Sequence, residues 1–240
     1  MSNFSLAFTI QLAKNSPGDS PRDQTVLVKA ESPTSPTTPL HVKVTANGLL
    51  QLSYWAAGED GRNTTERNFA SPSDKPFLAG EAYRVFISRE LVYVKGTDDP
   101  APRPFQMVTM RAWSPDGSLY MQLPPSPEQR IHGPVQGNEA PLCFFGGAQW
   151  SEGRGLRGIV GCIKLYSSAI PPPASVLDLY AASGGTMIGS WSCRDAGSFS
   201  LIDDLGRNHG KLKGNLRWVL SPYKSDHQLS VFVNATRVKA

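Results

Sequence analysis

A β-hairpin can be read in His41-Val42-Lys43-Val44-Thr45-Ala46-Asn47-Gly48-Leu49-Leu50-Gln51-Leu52-Ser53-Tyr54-Trp55. Apolar and polar residues alternate on both sides of Asn47-Gly48, and this period of two is typical of half-buried β-strands. Asn-Gly between two such runs is a strong hairpin signal, because both residues tolerate the positive φ of a type I′ turn. The stretch therefore predicts two antiparallel strands joined by a tight turn.

The same alternation recurs outward from this hairpin. It begins at Phe4 to Leu12, and about a dozen short strand-like runs follow, separated by turn residues among the 22 Gly and 20 Pro of the 240-residue chain. One helix is predicted, Pro172 to Ala182, with proline at its start and Gly184 after its end. The polar stretch Ala57 to Pro76 is predicted to be a long loop. This pattern predicts an all-β sandwich or jelly roll, in one domain spanning 1–240.

Composition excludes several classes of protein. Hydrophobic residues make up 40 % and charged residues 18 %, which is ordinary for a folded globular protein. No apolar run reaches the roughly 18 residues of a membrane helix, and the alternating N-terminus differs from a signal peptide. Cys143, Cys162 and Cys193 are an odd number at wide spacing, which indicates neither a disulfide framework nor a zinc site. We therefore expect a cytoplasmic protein without a membrane span.

The formal charge of +4 is concentrated toward the C-terminus, because the segment after Gly206 contains seven Lys and Arg residues and a single acidic residue, Asp226. Such a basic segment could contact the phosphates of a nucleic acid. It could equally be a solvated face, and no nucleic-acid-binding motif accompanies the charge. A nucleic-acid partner is therefore not expected.

Two groups of segments carry a family resemblance. Phe105 to Leu123, 142–147 and Gly155 to Ile170 combine a strand, an Asp-Gly turn, a second strand and two glycine-bearing strands. Ile188 to Cys193 with Leu201 to Leu212 combines a tryptophan-bearing strand with an acidic, glycine-containing turn. The first group resembles the late half of a laminin-G-like domain, and the second is similar to the opening of the same domain.

The opening-type motif, at 188–220, follows the closing-type motif, so the order indicates a circular permutation. Termini on neighbouring strands make such a permutation sterically simple. A truncated second copy is the alternative, but about 50 residues cannot bury a core alone. The resemblance implies a concanavalin A-like jelly roll of two antiparallel sheets with one or two short helices.

Catalytic signatures were sought and not found. The glucanases of this superfamily carry carboxylates that alternate on one strand, because glycoside hydrolysis uses two of them. The acidic pairs Glu59/Asp60, Asp98/Asp99 and Asp203/Asp204 are adjacent residues, which face opposite ways on a strand. No G-x-S-x-G elbow or metalloprotease motif is present. The sequence therefore predicts a protein that is not an enzyme.

A calcium site is one interpretation of the acidic turn near the C-terminus. Asp203, Asp204 and Asn208 offer the hard oxygen ligands that Ca²⁺ prefers. The other interpretation is that these side chains hold the turn through local hydrogen bonds.

Two tryptophans are candidates for carbohydrate binding, which needs an aromatic face and polar groups beside it. Trp150 lies in a loop with Gln149, Glu152 and Arg154. Trp55 opens the stretch that contains Asp60, Arg62 and Asn63. The remaining tryptophans Trp113, Trp191 and Trp218 lie within strand patterns and are predicted to be in the core.

The sequence thus favours a non-catalytic, lectin-like protein that recognises a glycan or glycoprotein through rim loops. A structural or protein-interaction sandwich that assembles into a homo-oligomer is the alternative. Glycan binding that free sugar competes away would separate the two.

Overall fold

The structure is a computed structural model that describes residues 3–15, 17–29, 40–57, 64–95, 103–124, 143–144, 155–175, 178, 186–192, 200–211, 216–220 and 229–234. Over these residues the protein is all-β, and most strands belong to two antiparallel sheets. The predicted fold class is confirmed at this level. Within the described ranges only Asp178 has helical geometry.

The described residues form strands β1 to β15. Their bounds are β1 Phe4–Leu12, β2 Gln24–Lys29, β3 Leu40–Val44, β4 Leu50–Ala57, β5 Thr64–Ala70, β6 Ala82–Val94, β7 Arg103–Trp113, β8 Leu119–Leu123, β9 Cys143–Phe144, β10 Arg157–Tyr166, β11 Met187–Trp191, β12 Ser200–Leu201, β13 Gly210–Lys211, β14 Leu216–Leu220 and β15 Leu229–Asn234.

The larger sheet has eight strands in the order β14-β15-β10-β1-β6-β7-β8, and β11 also pairs with β10. The smaller sheet has five strands in the order β5-β4-β3-β2-β9, and β12 pairs with β13 separately. The N-terminal strand β1 is central in the larger sheet, between β10 and β6. The C-terminal strand β15 also pairs with β10, so β1 and β15 lie on the two sides of β10.

The main core lies between the two large sheets. Alternation places one face of each strand in this core, since successive side chains point to opposite faces. Examples are the even-numbered residues of β1 and the residues Leu50, Leu52 and Tyr54 of β4, all nearly inaccessible to solvent. Trp113 and Trp191 are buried as predicted, at 1 % and 5 % exposure. The side chain of Trp218 lies outside the described residues.

The Asn47-Gly48 hairpin is confirmed, but its turn type differs from the prediction. Gly48 has a φ of +80° and its N–H donates to the carbonyl of Thr45, while Asn47 does not adopt a positive φ. The same arrangement recurs at Gly117, whose N–H donates to Ser114. Both are type I turns followed by a left-handed glycine, a common three-residue hairpin connection. A type I′ turn would have required a second left-handed residue.

Two strand predictions were wrong. The stretch Ala57 to Pro76, interpreted as a loop, contains β5, which pairs with β4 along its whole length. The sequence pattern also predicts two strands, Tyr83 to Ile87 and Leu91 to Val94, joined by Ser88-Arg89-Glu90, but these three residues are the middle of the continuous strand β6. In both cases cross-strand pairing and packing outweigh the polar local sequence.

Near the predicted helix, Ser175 and Asp178 form a capping box. The Asp178 carboxylate accepts the N–H of Ser175, and the Ser175 hydroxyl accepts the N–H of Asp178. Reciprocal bonds of this kind are typical of a helix N-terminus. Within the described ranges no helix is long and apolar enough to cross a membrane. Of the predicted helix Pro172 to Ala182, residues 172–175 are described and are not helical, whereas 176, 177 and 179–182 lie outside the described residues.

Cys162 is a buried free thiol, as expected. The side chains of Cys143 and Cys193 lie outside the described residues. The prediction that all three cysteines are free therefore stays a prediction for these two.

Candidate functional site

The outer face of the five-stranded sheet brings one aromatic and several polar side chains together. Because Leu50, Leu52 and Tyr54 point into the core, alternation turns Gln51, Ser53 and Trp55 of β4 to the other face, where Ser53 is nevertheless buried at 4 % exposure. The side chains of β5 that face outward beside them are Glu66 and Asn68. We call the set Gln51, Ser53, Trp55, Glu66 and Asn68 the Trp55 face.

Strand register sets the neighbours on this face. Trp55 pairs directly with Glu66, and Ser53 pairs directly with Asn68. Direct antiparallel partners have Cβ atoms within about 4.5–5.5 Å, so the side chains of Glu66 and Trp55 leave the sheet next to each other. Trp55 is half-buried, whereas Glu66 and Asn68 are exposed. An aromatic surface thus stands next to hydrogen-bonding groups that water can reach.

The amide of Asn68 is held in one orientation. Its Oδ1 accepts hydrogen bonds from Gln51 Nε2 at 2.9 Å and from the Ser53 hydroxyl. The Nδ2 group is therefore turned away from these two residues and can donate outward. The Oε1 of Gln51 is likewise left to accept, because its Nε2 donates to Asn68. These bonds orient a donor on Asn68, two residues along β5 from Glu66, and an acceptor on Gln51, four residues along β4 from Trp55.

Buried packing stiffens the hairpin beneath the face. Tyr54 stacks on Phe69 with ring centroids 5.8 Å apart, and the Arg89 guanidinium lies 4.5 Å from the centre of the Tyr54 ring. Burial raises the pKa of Tyr54 to about 12, against the opposing effect of the Arg89 charge. Burial also lowers the pKa of Arg89 to about 10. The phenol is neutral and the guanidinium charged at pH 7, so the cation–π contact persists there.

The basic side chains on this side of the sheet lie toward β2 and are engaged. Lys43 Nζ forms an ion pair with Asp23 at 2.6 Å. His41 Nε2 is 3.1 Å from the hydroxyl of Thr25. Lys43 lies opposite Gln51, not opposite Trp55. Among the described residues, the carboxylate of Glu66 is therefore the charge closest in register to Trp55.

Of the residues predicted to bind a glycan, the structure places Trp55, which is half-buried, on the outer face. Its predicted loop neighbours Asp60, Arg62 and Asn63 lie outside the described residues, as does the second candidate group of Trp150, Gln149, Glu152 and Arg154. Glu66 and Asn68 were missed because their stretch was interpreted as a loop. The local sequence carried no clear signal for them, because Phe69 is the one large apolar side chain of Thr64–Ala70.

The acidic turn near the C-terminus is stabilised by hydrogen bonds to the buried carboxylate of Asp203. Asp203 is 1 % exposed, and its carboxylate accepts four backbone N–H groups, from Ser190, Leu205, Arg207 and Asn208. In this arrangement all acceptor positions of Asp203 are occupied, so it holds the turn and does not present a metal ligand.

The neighbouring residues of this turn are engaged too. Asp204 accepts the hydroxyls of Ser190 and Ser192, and Asn208 donates to the carbonyl of Ile188. Within the described ranges no group of three His, Cys, Asp or Glu is placed to hold a metal ion. Calcium binding by Asp203, Asp204 and Asn208 stays a prediction, and it would need Asp203 to release N–H donors that it now accepts.

The Asp203 carboxylate predicts a pH dependence of stability. Burial alone would raise the pKa of Asp203, but the four backbone N–H donors outweigh burial and hold that pKa below its ordinary value. The stabilisation is therefore full above about pH 4, the ordinary aspartate pKa, and is lost as pH falls through the lowered native pKa. The difference in unfolding free energy between wild type and Asp203→Asn should narrow from pH 6 to pH 3. A difference that stays constant in urea titrations across this range would contradict the prediction.

Comparison with known proteins adds a likeness of fold. No protein-family model and no curated protein matches the chain. A similar solved structure is full-length tailspike protein 2 from Escherichia coli O157:H7 bacteriophage CAB120, with 13 % identity, a TM-score of 0.50, and coverage of 80 % of this chain and 24 % of that chain. The enzymatically active domain of bacteriophage CBA120 tailspike protein 2 has 13 % identity and a TM-score of 0.49, over 79 % and 26 % of the two chains.

The receptor-binding domain of botulinum neurotoxin type G has 10 % identity and a TM-score of 0.33, over 71 % of this chain and 36 % of that chain. The match to the full-length tailspike covers about a quarter of the length of that protein. At such low identity the likeness to the tailspike concerns the fold alone. The chain shares an all-β fold with part of a phage tailspike.

Proposed function

We propose that this protein is a carbohydrate-binding β-sandwich that recognises a glycan or glycoprotein on the Trp55 face. The observation that carries the proposal is the register of Trp55 against Glu66, with the oriented amide of Asn68 two pairs further along, on the same face of the sheet. The apolar C–H side of a sugar ring can pack on the indole while its hydroxyls reach the carboxylate and the amides. Groups fixed on paired strands are better preorganised than groups on a free loop.

The proposal is for binding without catalysis. Glycoside hydrolysis uses two carboxyl groups on either side of the scissile bond. On the Trp55 face, as far as the described residues extend, Glu66 is the single carboxylate. The proposal therefore assigns Glu66 a role as a hydrogen-bond acceptor for sugar hydroxyls.

Truncating the aromatic surface should remove binding and keep the fold. We expect Trp55→Ala to weaken glycan binding at least tenfold, since an aromatic anchor in a binding site is commonly worth about 2 kcal/mol or more. The melting temperature should fall by no more than about 4 °C, because Trp55 is outside the core. Binding of the full-length chain to a glycan array, with competition by free sugar, measures the first quantity, and calorimetry measures the second.

A matched control is Trp191→Ala. Trp191 is 5 % exposed, and its indole N–H donates to the carbonyl of Asn208 at 3.0 Å. Truncating a core tryptophan costs about 3–5 kcal/mol, so this variant should melt much earlier, while its folded fraction keeps its glycan affinity. If Trp55→Ala keeps full affinity, or if the wild type binds no glycan that free sugar displaces, the proposed function is wrong.

A second function, protein interaction or self-association, is favoured by exposed apolar side chains away from this face. Leu78, Tyr93 and Leu119 are 52 %, 66 % and 51 % exposed. Large exposed apolar side chains are common at interfaces with other proteins when they form a patch. Oligomers on size exclusion without glycan binding would support this function.

We also propose that the chain is one permuted domain of the laminin-G-like and concanavalin A-like superfamily, located in the cytoplasm. Strand pairing supports the permutation: the closing-type strand β10 lies directly beside the opening-type strand β11, with Ile163 opposite Trp191 and Lys164 opposite Ser190. Moving the chain ends to a loop between these neighbours would restore the family's order without changing the sheet.

A further inference from the structure

We infer that the Trp55 face selects neutral glycans over carboxylated or sulfated ones, and that Glu66 sets this preference. The inference rests on the proposed function and names the class of ligand. It begins from the position of Glu66, which is exposed and directly opposite Trp55 in the ladder. A sugar ring that packs on Trp55 therefore comes within reach of this carboxylate.

No opposite charge in the described part of the face offsets Glu66. Its strand neighbour Arg67 belongs to the opposite face, because it pairs with the inward-pointing Tyr54. Lys43 lies at the β2 side and is held by Asp23, whose other oxygen accepts the N–H of Ala46 at 3.0 Å. A carboxylate or sulfate on a bound sugar would thus meet the Glu66 charge without a described cation beside it. Like charges this close repel most strongly when the ligand excludes water.

The hydrogen-bonding groups of the face also favour hydroxyls. Glu66 can only accept, Asn68 presents the donor Nδ2, and Gln51 presents the acceptor Oε1, as fixed by the bonds between the two amides. A sugar hydroxyl both donates and accepts, so neighbouring hydroxyls can satisfy an acceptor and a donor together. An ionised carboxylate or sulfate accepts only and cannot donate to Glu66 or Gln51.

The test compares three forms of the full chain, wild type, Glu66→Gln and Glu66→Lys, on an array that presents each glycan in neutral and in sialylated, uronic or sulfated form. The wild type should bind neutral forms at least tenfold more tightly than their charged counterparts. Glu66→Gln should reduce this ratio by roughly tenfold, the effect of about 1.4 kcal/mol. Glu66→Lys should reverse the preference. The preferences should shrink at 1 M salt, where charges are screened within about 3 Å.

Glu90→Gln is the matched control, because Glu90 is an exposed glutamate on β6 of the other sheet. It should leave the ratio unchanged. Trp55-dependent binding that prefers charged glycans, or that Glu66→Gln does not alter, overturns this inference and leaves the proposed function standing. Absence of any glycan binding, or binding that survives Trp55→Ala, overturns the proposed function and the inference with it.

Discussion

Asp203→Ala is expected to lower the free energy of unfolding by about 3–5 kcal/mol. The carboxylate accepts the N–H groups of Ser190 at 2.9 Å and Leu205 at 3.1 Å through Oδ1, and those of Arg207 at 3.2 Å and Asn208 at 2.9 Å through Oδ2. A hydrogen bond to a charged group is worth about 1.5–3 kcal/mol, and a buried N–H without an acceptor adds a desolvation penalty. Urea unfolding monitored by fluorescence measures the change.

The next residue in the chain supplies the control. Asp204 is exposed, and its carboxylate accepts two side-chain hydroxyls, those of Ser190 and Ser192. These hydroxyls can turn to water when the acceptor is removed, so Asp204→Ala should cost no more than about 1 kcal/mol. Equal losses for the two variants would contradict the assignment of Asp203 as the acceptor that holds this turn.

Strands were predictable where the core imposes alternation. Phe4 to Leu12 shows the period of two because its even-numbered side chains all enter the core. In this segment local pattern and tertiary packing favour the same structure.

The strand β5 was not predictable in the same way. Thr64–Ala70 is polar, and Phe69 is its one large apolar side chain. Within the described part of the chain it is an edge strand paired with β4 alone, so its outer residues can be polar. The long strand β6 was interrupted in the prediction because Arg89 has the polarity of a turn residue. The buried Arg89 guanidinium lies over the ring of Tyr54, a residue 35 positions earlier in the chain. A local sequence pattern cannot predict a contact between residues so far apart.

In the candidate site, too, some residues could be predicted from the sequence and others could not. Trp55 could be selected because an aromatic residue at a strand end is visible in the sequence. Glu66 and Asn68 became neighbours of Trp55 and Ser53 only through the β4–β5 register. Register is defined by two paired strands. A prediction in which β5 is a loop therefore cannot include the register between β4 and β5.

Gly158→Ala is expected to lower the free energy of unfolding by more than about 3 kcal/mol. Gly158 lies in β10, between Leu12 of β1 and Val233 of β15, and has a φ of +155°. A Cβ atom there would overlap the backbone carbonyl oxygen of Gln11 and lie 3.1 Å from the Cα of Leu12. The strand β1 cannot move aside, because it is paired with β6 on its other edge. Overlap with backbone atoms has no rotamer that relieves it.

Gly18→Ala separates this clash from the cost of backbone conformation. Gly18 also has a positive φ, +90°, but an added Cβ would meet nothing within 4 Å. Its replacement should therefore cost only the conformational strain, about 1–2 kcal/mol. We expect Gly18→Ala to purify as a folded protein with a modestly lower urea midpoint, and Gly158→Ala to accumulate in the insoluble fraction or unfold at far lower urea. If the two variants lose equal stability, the close approach of β10 to β1 is not what requires glycine at position 158. In that case the two central strands, whose pairing contains a bulge, can separate far enough to admit a Cβ atom.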